Sequence, residues 1–140
     1  MGKFSRDKGA RGERELIQEL SALLGIEAGR NLNQTAVGGA DCVEFPGISI
    51  EIKRCETLEI AAWWRQCVCN AGDAVPVLCY RQNRQPWTVM VPVTTLPAIC
   101  APVYAPRDKT LPQAYKITLE GFAWHYQKHL APQCARQRSQ

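Results

Sequence analysis

The sequence lacks several features that would assign the protein to a familiar functional class. It has no run of about 18 consecutive apolar residues, so we expect no membrane-spanning helix and no membrane partner. Its first 15 residues are strongly charged and contain no apolar segment of a secretory signal. There is also no glycine-rich phosphate loop, so we expect no nucleotide cofactor. Seven cysteines are present without a CxxC pair, which is typical of free thiols in a reducing cytoplasm.

What is present indicates one globular unit that binds a polyanion. A chain of 140 residues that is 46% hydrophobic can bury a core, and we expect a single domain over 1–140. The formal net charge is only +4, but basic residues are concentrated in the first 14 positions. Such a distribution favours a nucleic-acid partner, although a solvated surface is the plainer alternative.

The periodicity of apolar residues predicts a mixed domain of helices and strands. Apolar spacing of three and four residues indicates helices, and alternation between turn signals indicates strands. The last third is rich in proline, and we expect a helical extension over 92–130 and a flexible tail over 131–140. The predicted elements are helices at 7–24, 57–72 and 119–130, a short helix with loop at 92–112, and strands at 28–35, 40–45, 48–54, 75–80 and 87–92.

The stretch ISIEIKR at 48–54 places an acid and a base on one side of a predicted strand. Because side chains alternate along a strand, its three isoleucines share one face, while Glu51 and Lys53 share the other. Asp41 opens the preceding predicted strand. If the two strands pair through the turn at Pro46-Gly47, Asp41 comes close to Glu51 and Lys53.

The first predicted helix contributes a third carboxylate. Glu13 lies three residues before Leu16 and four before Ile17, so it shares the apolar stripe and faces inward. Glu15 and Glu19 lie on a different side of this helix, and we expect both to be solvated.

These residue types suit a magnesium site that hydrolyses phosphodiesters. Carboxylates from Asp41 and Glu51, the backbone carbonyl of Ile52 and water form the oxygen-rich ligand set that Mg²⁺ prefers, and Mn²⁺ could substitute. A bound ion activates water, and Lys53 can stabilise the charge that develops on phosphorus. An exposed ion pair between Glu51 and Lys53 is the structural alternative.

The spaced residues Asp41, Glu51, Ile52 and Lys53 resemble the PD-(D/E)xK nuclease motif. The stretch KGARGEREL at 8–16 further resembles the first helix of the archaeal-type Holliday junction resolvases. The resemblance covers about residues 6–91. It implies a restriction-endonuclease-like α/β (α+β) core, with a central mixed sheet flanked by helices.

The resemblance also implies roles for individual residues. Asp41 and Glu51 would bind metal, Glu13 would support the metal or its water, and Lys53 would be catalytic. The protein would act as a homodimer on four-way junctions. Separately from the resemblance, the adjacent Trp63 and Trp64 point in different directions on a predicted helix, so we expect one in the core and the other available to a second subunit. The expected DNA contacts are Lys8, Arg11, Arg14, Arg30, Arg54 and Gln66.

Two departures from the family leave the substrate open. Ala40 stands where many members of the family have proline, and the family's serine has no clear counterpart. The alternatives are a nickase acting on duplexes or flaps, and a branched-DNA-binding protein that does not cut. Substitution of Asp41 or Glu51 separates these classes, because a nuclease would lose cleavage and retain binding.

Overall fold

The computed structural model describes residues 3–25 and 45–132. Within them the chain forms three α-helices and five strands, and a π-helical turn over Tyr126–Leu130 continues the last helix. The elements are α1 (Lys3–Leu24), β1 (Ile48–Arg54), α2 (Ile60–Ala71), β2 (Val75–Arg81), β3 (Thr88–Pro92), β4 (Val103–Tyr104), β5 (Ala114–Thr118) and α3 (Leu119–His125).

The five strands form one mixed sheet in the order β1-β2-β3-β5-β4. β1 and β2 are parallel and are connected through α2, whereas the remaining pairs are antiparallel. A parallel pair requires a crossover connection, which is why a helix stands between these two strands. The predicted fold class, a mixed sheet flanked by helices, is confirmed.

Helix α1 covers one face of the sheet with the apolar stripe that its spacing predicts. Leu16, Ile17 and Leu20 are buried against the isoleucines of β1. The helix ends before Gly25, whose φ of 69° lies in the left-handed region that glycine adopts without strain. It begins earlier than predicted, at Lys3.

Strand β1 occupies its predicted range, 48–54, and is buried on both faces. Its isoleucines belong to the core that includes α1 and α3, as predicted for a helix packed over that face. The opposite face is covered by α2, which packs on β1 and β2. The side chains that share Glu51's face therefore lie beneath a helix and not on an open sheet.

The last third of the chain differs from the predicted helical extension. β4 and β5 join the sheet beyond β3, and no helix forms over the described stretch 93–113. Tyr115 and Ile117 are β-forming residues that pair with β3, so tertiary pairing decides this segment. The predicted late helix is present as α3, which is capped by Thr118, whose hydroxyl accepts a hydrogen bond from Gly121 N–H.

The prediction for the two adjacent tryptophans is wrong. Trp63 and Trp64 are both buried in one cluster with Leu78, Tyr80 and Met90 on the α2 face of the sheet. The segment after β3 folds across this cluster, and the Pro112 carbonyl accepts a hydrogen bond from Trp64 Nε1 at 3.0 Å. The segment therefore gives the Trp64 indole a hydrogen-bond partner within the same chain.

Several expectations fall outside the described residues. These are the strand over 28–35, the first arm of the hairpin over 40–54 and most of the tail. In the parts of the chain that are described, no helix has both the length and the apolar character needed to cross a bilayer.

Candidate active site

The acidic side chain of β1 lies buried beneath helix α2. Glu51 is only 5% exposed and occupies the register position opposite Leu78 of the parallel strand β2. Asn70, near the end of α2, donates a hydrogen bond from Nδ2 to Glu51 Oε1 at 2.8 Å. A charge-assisted bond of this kind fixes one carboxylate oxygen and offsets part of the cost of burial.

Helix α1 brings a second carboxyl group to the same place. Burial raises the pKa of Glu13 above its ordinary value of 4.5, and the nearby charge of Glu51 raises it further. Lys53 and Arg14 oppose this effect on the pKa of Glu13, because a cation favours the charged carboxylate. Each of these influences requires proximity, so Glu13, Glu51 and Lys53 form one electrostatic cluster. The sequence-based choice of Glu13 as the inward glutamate is consistent with this placement.

The three residues come from α1 and β1, two elements that pack against each other. Lys53 is half-buried, and Ile52 stands between the acid and the base on the strand. Asp41, the remaining predicted metal ligand, lies outside the described residues. Within those residues no group of three or more histidine, cysteine, aspartate or glutamate side chains converges on a metal-sized position.

The prediction that Glu15 is solvated is wrong, whereas Glu19 is exposed as expected. Glu15 accepts a hydrogen bond from Arg54 Nη1 at 3.0 Å and is also bonded by Arg81 Nη2. The helical spacing predicted the apolar stripe but not the ion pairs of Glu15 beside it. The two arginines become neighbours only when β1 and β2 pair, so the sequence of α1 does not show them as partners.

Most of the chain matches a known protein family. The family model described as "Phage putative PDDEXK endonuclease" matches residues 4–110, about three quarters of the chain. The chain belongs to this family. No curated protein and no solved structure matches it. The matched range contains α1 except its first residue and all of β1, α2, β2, β3 and β4, and therefore the whole electrostatic cluster around Glu51.

The acidic residues of this member of the PDDEXK family fit a divalent metal ion. Glu13 and Glu51 are like charges close together in a partly buried site, an arrangement that costs free energy unless a cation neutralises it. Carboxylate oxygens are the ligands that Mg²⁺ and Mn²⁺ prefer. Glu51, Glu13 and the Ile52 carbonyl are the described groups that could hold the ion.

The residues predicted to contact DNA fall into three groups. Arg11 and Arg14 are exposed on α1, and Gln66 is exposed on α2. Arg54 is bound to Glu15 and its side chain is only 16% exposed. The Lys8 side chain and Arg30 lie outside what the structure describes.

Asn70 is the hydrogen-bond partner of Glu51 that sequence reasoning missed. The resemblance pointed to Gln66, one helical turn earlier, and residues four apart lie on the same side of a helix. That spacing was the available signal. Which of the two amides reaches Glu51 depends on how far α2 extends along the parallel strands, and the structure gives this contact to Asn70.

Proposed function

We propose that this PDDEXK endonuclease is a Mg²⁺-dependent, structure-specific DNA endonuclease that acts as a homodimer and resolves four-way junctions. The proximity of Glu13, Glu51 and Lys53 carries the catalytic part of the proposal. The similarity of residues 8–16 to the first helix of the junction resolvases supports the choice of substrate.

Different residues of the chain have different roles in hydrolysis. Bound Mg²⁺ supplies Lewis acidity and a more acidic water. Asn70 holds Glu51 in one orientation through its bond to Oε1, so the carboxylate needs no rearrangement during the reaction. The Lys53 ammonium supplies positive charge to the phosphate as negative charge develops on its oxygens.

Glu13 suits a role in handling protons. Its carboxyl has a raised pKa because it is buried and lies near Glu51, so it holds a proton more readily than an exposed glutamate. We propose that it accepts a hydrogen bond from the attacking water. Arg11 and Arg14 are exposed on the same helix and would hold the DNA backbone through phosphate contacts, which fix register without reading sequence.

The experiment is cleavage of a synthetic four-way junction beside linear duplex, flap and single-stranded DNA, with Mg²⁺, Mn²⁺ or EDTA. The variants are Glu51→Gln and Asp41→Asn, with Glu19→Gln as the matched control because Glu19 is exposed on α1. We expect paired, symmetric nicks on the junction, lost with EDTA and in both site variants but retained in the control.

The other results have distinct meanings. Equal cutting of every duplex would refute junction specificity and leave a general nuclease. Tight junction binding without cutting, under every metal condition, would refute the enzymatic proposal. A monomer in sedimentation experiments with and without the junction would refute the homodimer.

A further inference from the structure

An ion-pair cluster outside the catalytic residues joins α1 to two strands. Glu15 accepts hydrogen bonds from Arg54 at the end of β1 and from Arg81 at the end of β2. These two arginines are partners in the parallel register. One carboxylate therefore connects the first helix to both parallel strands.

The two arginines of the cluster are shielded from solvent, and the Glu15 side chain is 31% exposed. The arginine side chains are 16% and 18% exposed, and the Arg81 guanidinium lies 4.9 Å from the centroid of the Trp87 ring. Both arginine Nε atoms are buried and have no hydrogen-bond partner among the described residues. Glu15 thus supplies the counter-charge for two shielded cations, and its removal would leave both without that partner.

Close packing at the same flank of α1 restricts the helix further. Gly12 lies against Arg54, and a Cβ atom added to Gly12 would lie 3.0 Å from Arg54 Cβ. Successive helical residues are about 100° apart, so Gly12 and Glu15 lie on one flank of the helix while Glu13 lies at the centre of the buried face. Contacts on this flank restrain the rotation of α1 about its axis.

We propose that Glu15, Arg54 and Arg81 form a positioning clamp that fixes the rotation of α1 and so sets the place of Glu13 beside Glu51 and Lys53. The inference rests on the proposed function of that site. It gives Arg54 a role in placing α1 instead of the DNA contact expected from its sequence position. In this proposal the clamp residues contact neither substrate nor metal and act on catalysis only through Glu13.

The test compares Glu15→Ala and Glu15→Gln with Glu19→Ala, an exposed glutamate one turn further along α1. Steady-state cleavage gives kcat and KM, and amide hydrogen exchange over residues 11–17 is measured without DNA or metal. We expect kcat to fall at least about tenfold in Glu15→Ala, with KM within about twofold and faster exchange in this segment. Glu15→Gln should show a smaller loss because its amide oxygen can still accept one of the two hydrogen bonds.

A destabilised variant with the clamp intact separates positioning from stability. Leu20→Ala removes a fully buried side chain of α1 and should lower the melting temperature while retaining kcat at temperatures where it stays folded. If Leu20→Ala loses as much kcat as Glu15→Ala at matched folded fraction, general destabilisation explains the loss and the clamp is refuted.

The result for the clamp is distinguishable from that for the proposed function. A wild-type protein that does not cleave DNA would refute the proposed function alone, and hydrogen exchange would still report on the clamp. Unchanged exchange over residues 11–17 in Glu15→Ala would refute the clamp. A cleaving wild type with an equally active Glu15→Ala variant would refute the clamp and leave the proposed function intact.

Discussion

Replacing Asn70 by alanine tests how the buried carboxylate of β1 is held. The substitution removes the 2.8 Å bond to Glu51 Oε1 and leaves the rest of α2 unchanged. A hydrogen bond to a charged group contributes about 1.5–3 kcal/mol. Because Asn70 is exposed, water can replace part of the lost bond, and the low end of that range applies.

A loss of about 1.4 kcal/mol in transition-state stabilisation lowers the rate about tenfold. We therefore expect Asn70→Ala to reduce kcat/KM for DNA cleavage about tenfold at saturating Mg²⁺. Asn70→Asp should be more damaging, because it places a second negative charge against Glu51. The assay is single-turnover cleavage of a labelled junction, with thermal melting to confirm that both variants fold.

Gln66→Ala is the informative comparison, since Gln66 is the amide that the family resemblance selected. The two variants separate a ligand-orienting role from a DNA contact. Asn70→Ala should lower the rate at saturating DNA, whereas loss of a DNA contact at Gln66 should weaken binding. An Asn70→Ala variant that cleaves at the wild-type rate would refute the argument that this bond orients Glu51.

Three further substitutions test the site and the core. Glu13→Gln should abolish most cleavage and raise the melting temperature without metal. Because the folded-state pKa of Glu13 is raised, the contribution of this carboxyl to stability is lost as pH rises above about 4.5, so the gain should be larger at pH 8 than at pH 4. Gly12→Ala should slow cleavage and give no net stabilisation, because the contact with Arg54 opposes the gain of about 1 kcal/mol in helix propensity. Trp64→Ala should lower the free energy of unfolding in urea by about 3–5 kcal/mol, since it empties a fully buried site and removes the bond to Pro112.

For each of these three substitutions, a specific result would contradict the expectation. Equal melting-temperature differences between Glu13→Gln and wild type at both pH values would contradict the electrostatic account of the site. A more stable and fully active Gly12→Ala would show that Arg54 yields to the added methyl group. A small effect at Trp64 would mean that this indole does not belong to the core.

The local pattern of apolar and polar residues was enough to predict much of the fold. Alternation in ISIEIKR defined β1 and the face of its isoleucines, and the spacing of Leu16, Ile17 and Leu20 defined the buried stripe of α1. These signals depend only on the side-chain periods of the strand and the helix, so residues close together in the sequence are enough to show them. The same reasoning placed Glu13 on the inward side of its helix.

The local pattern of apolar and polar residues did not predict the structure where burial depended on segments distant in the sequence. The proline-rich last third was expected to be helical, but β5 finds its partner in β3 and β4 then pairs with β5. Trp63 and Trp64 were expected to separate, but both lie in one cluster, and the segment before β5 packs on that cluster and bonds Trp64. In each case the deciding contact is non-local, so no window of adjacent residues contains it.

The sequence by itself determined the candidate catalytic set, because acid, base and spacing are all present in short stretches around Glu13 and Glu51. Only the tertiary structure decided what supports that set. Asn70 reaches Glu51 because α2 crosses over a parallel strand pair, and Glu15 meets Arg54 and Arg81 because β1 and β2 end side by side. The candidate catalytic groups can be predicted from residues close together in the sequence, whereas the orientation of those groups depends on which distant strands and helices the fold brings into contact.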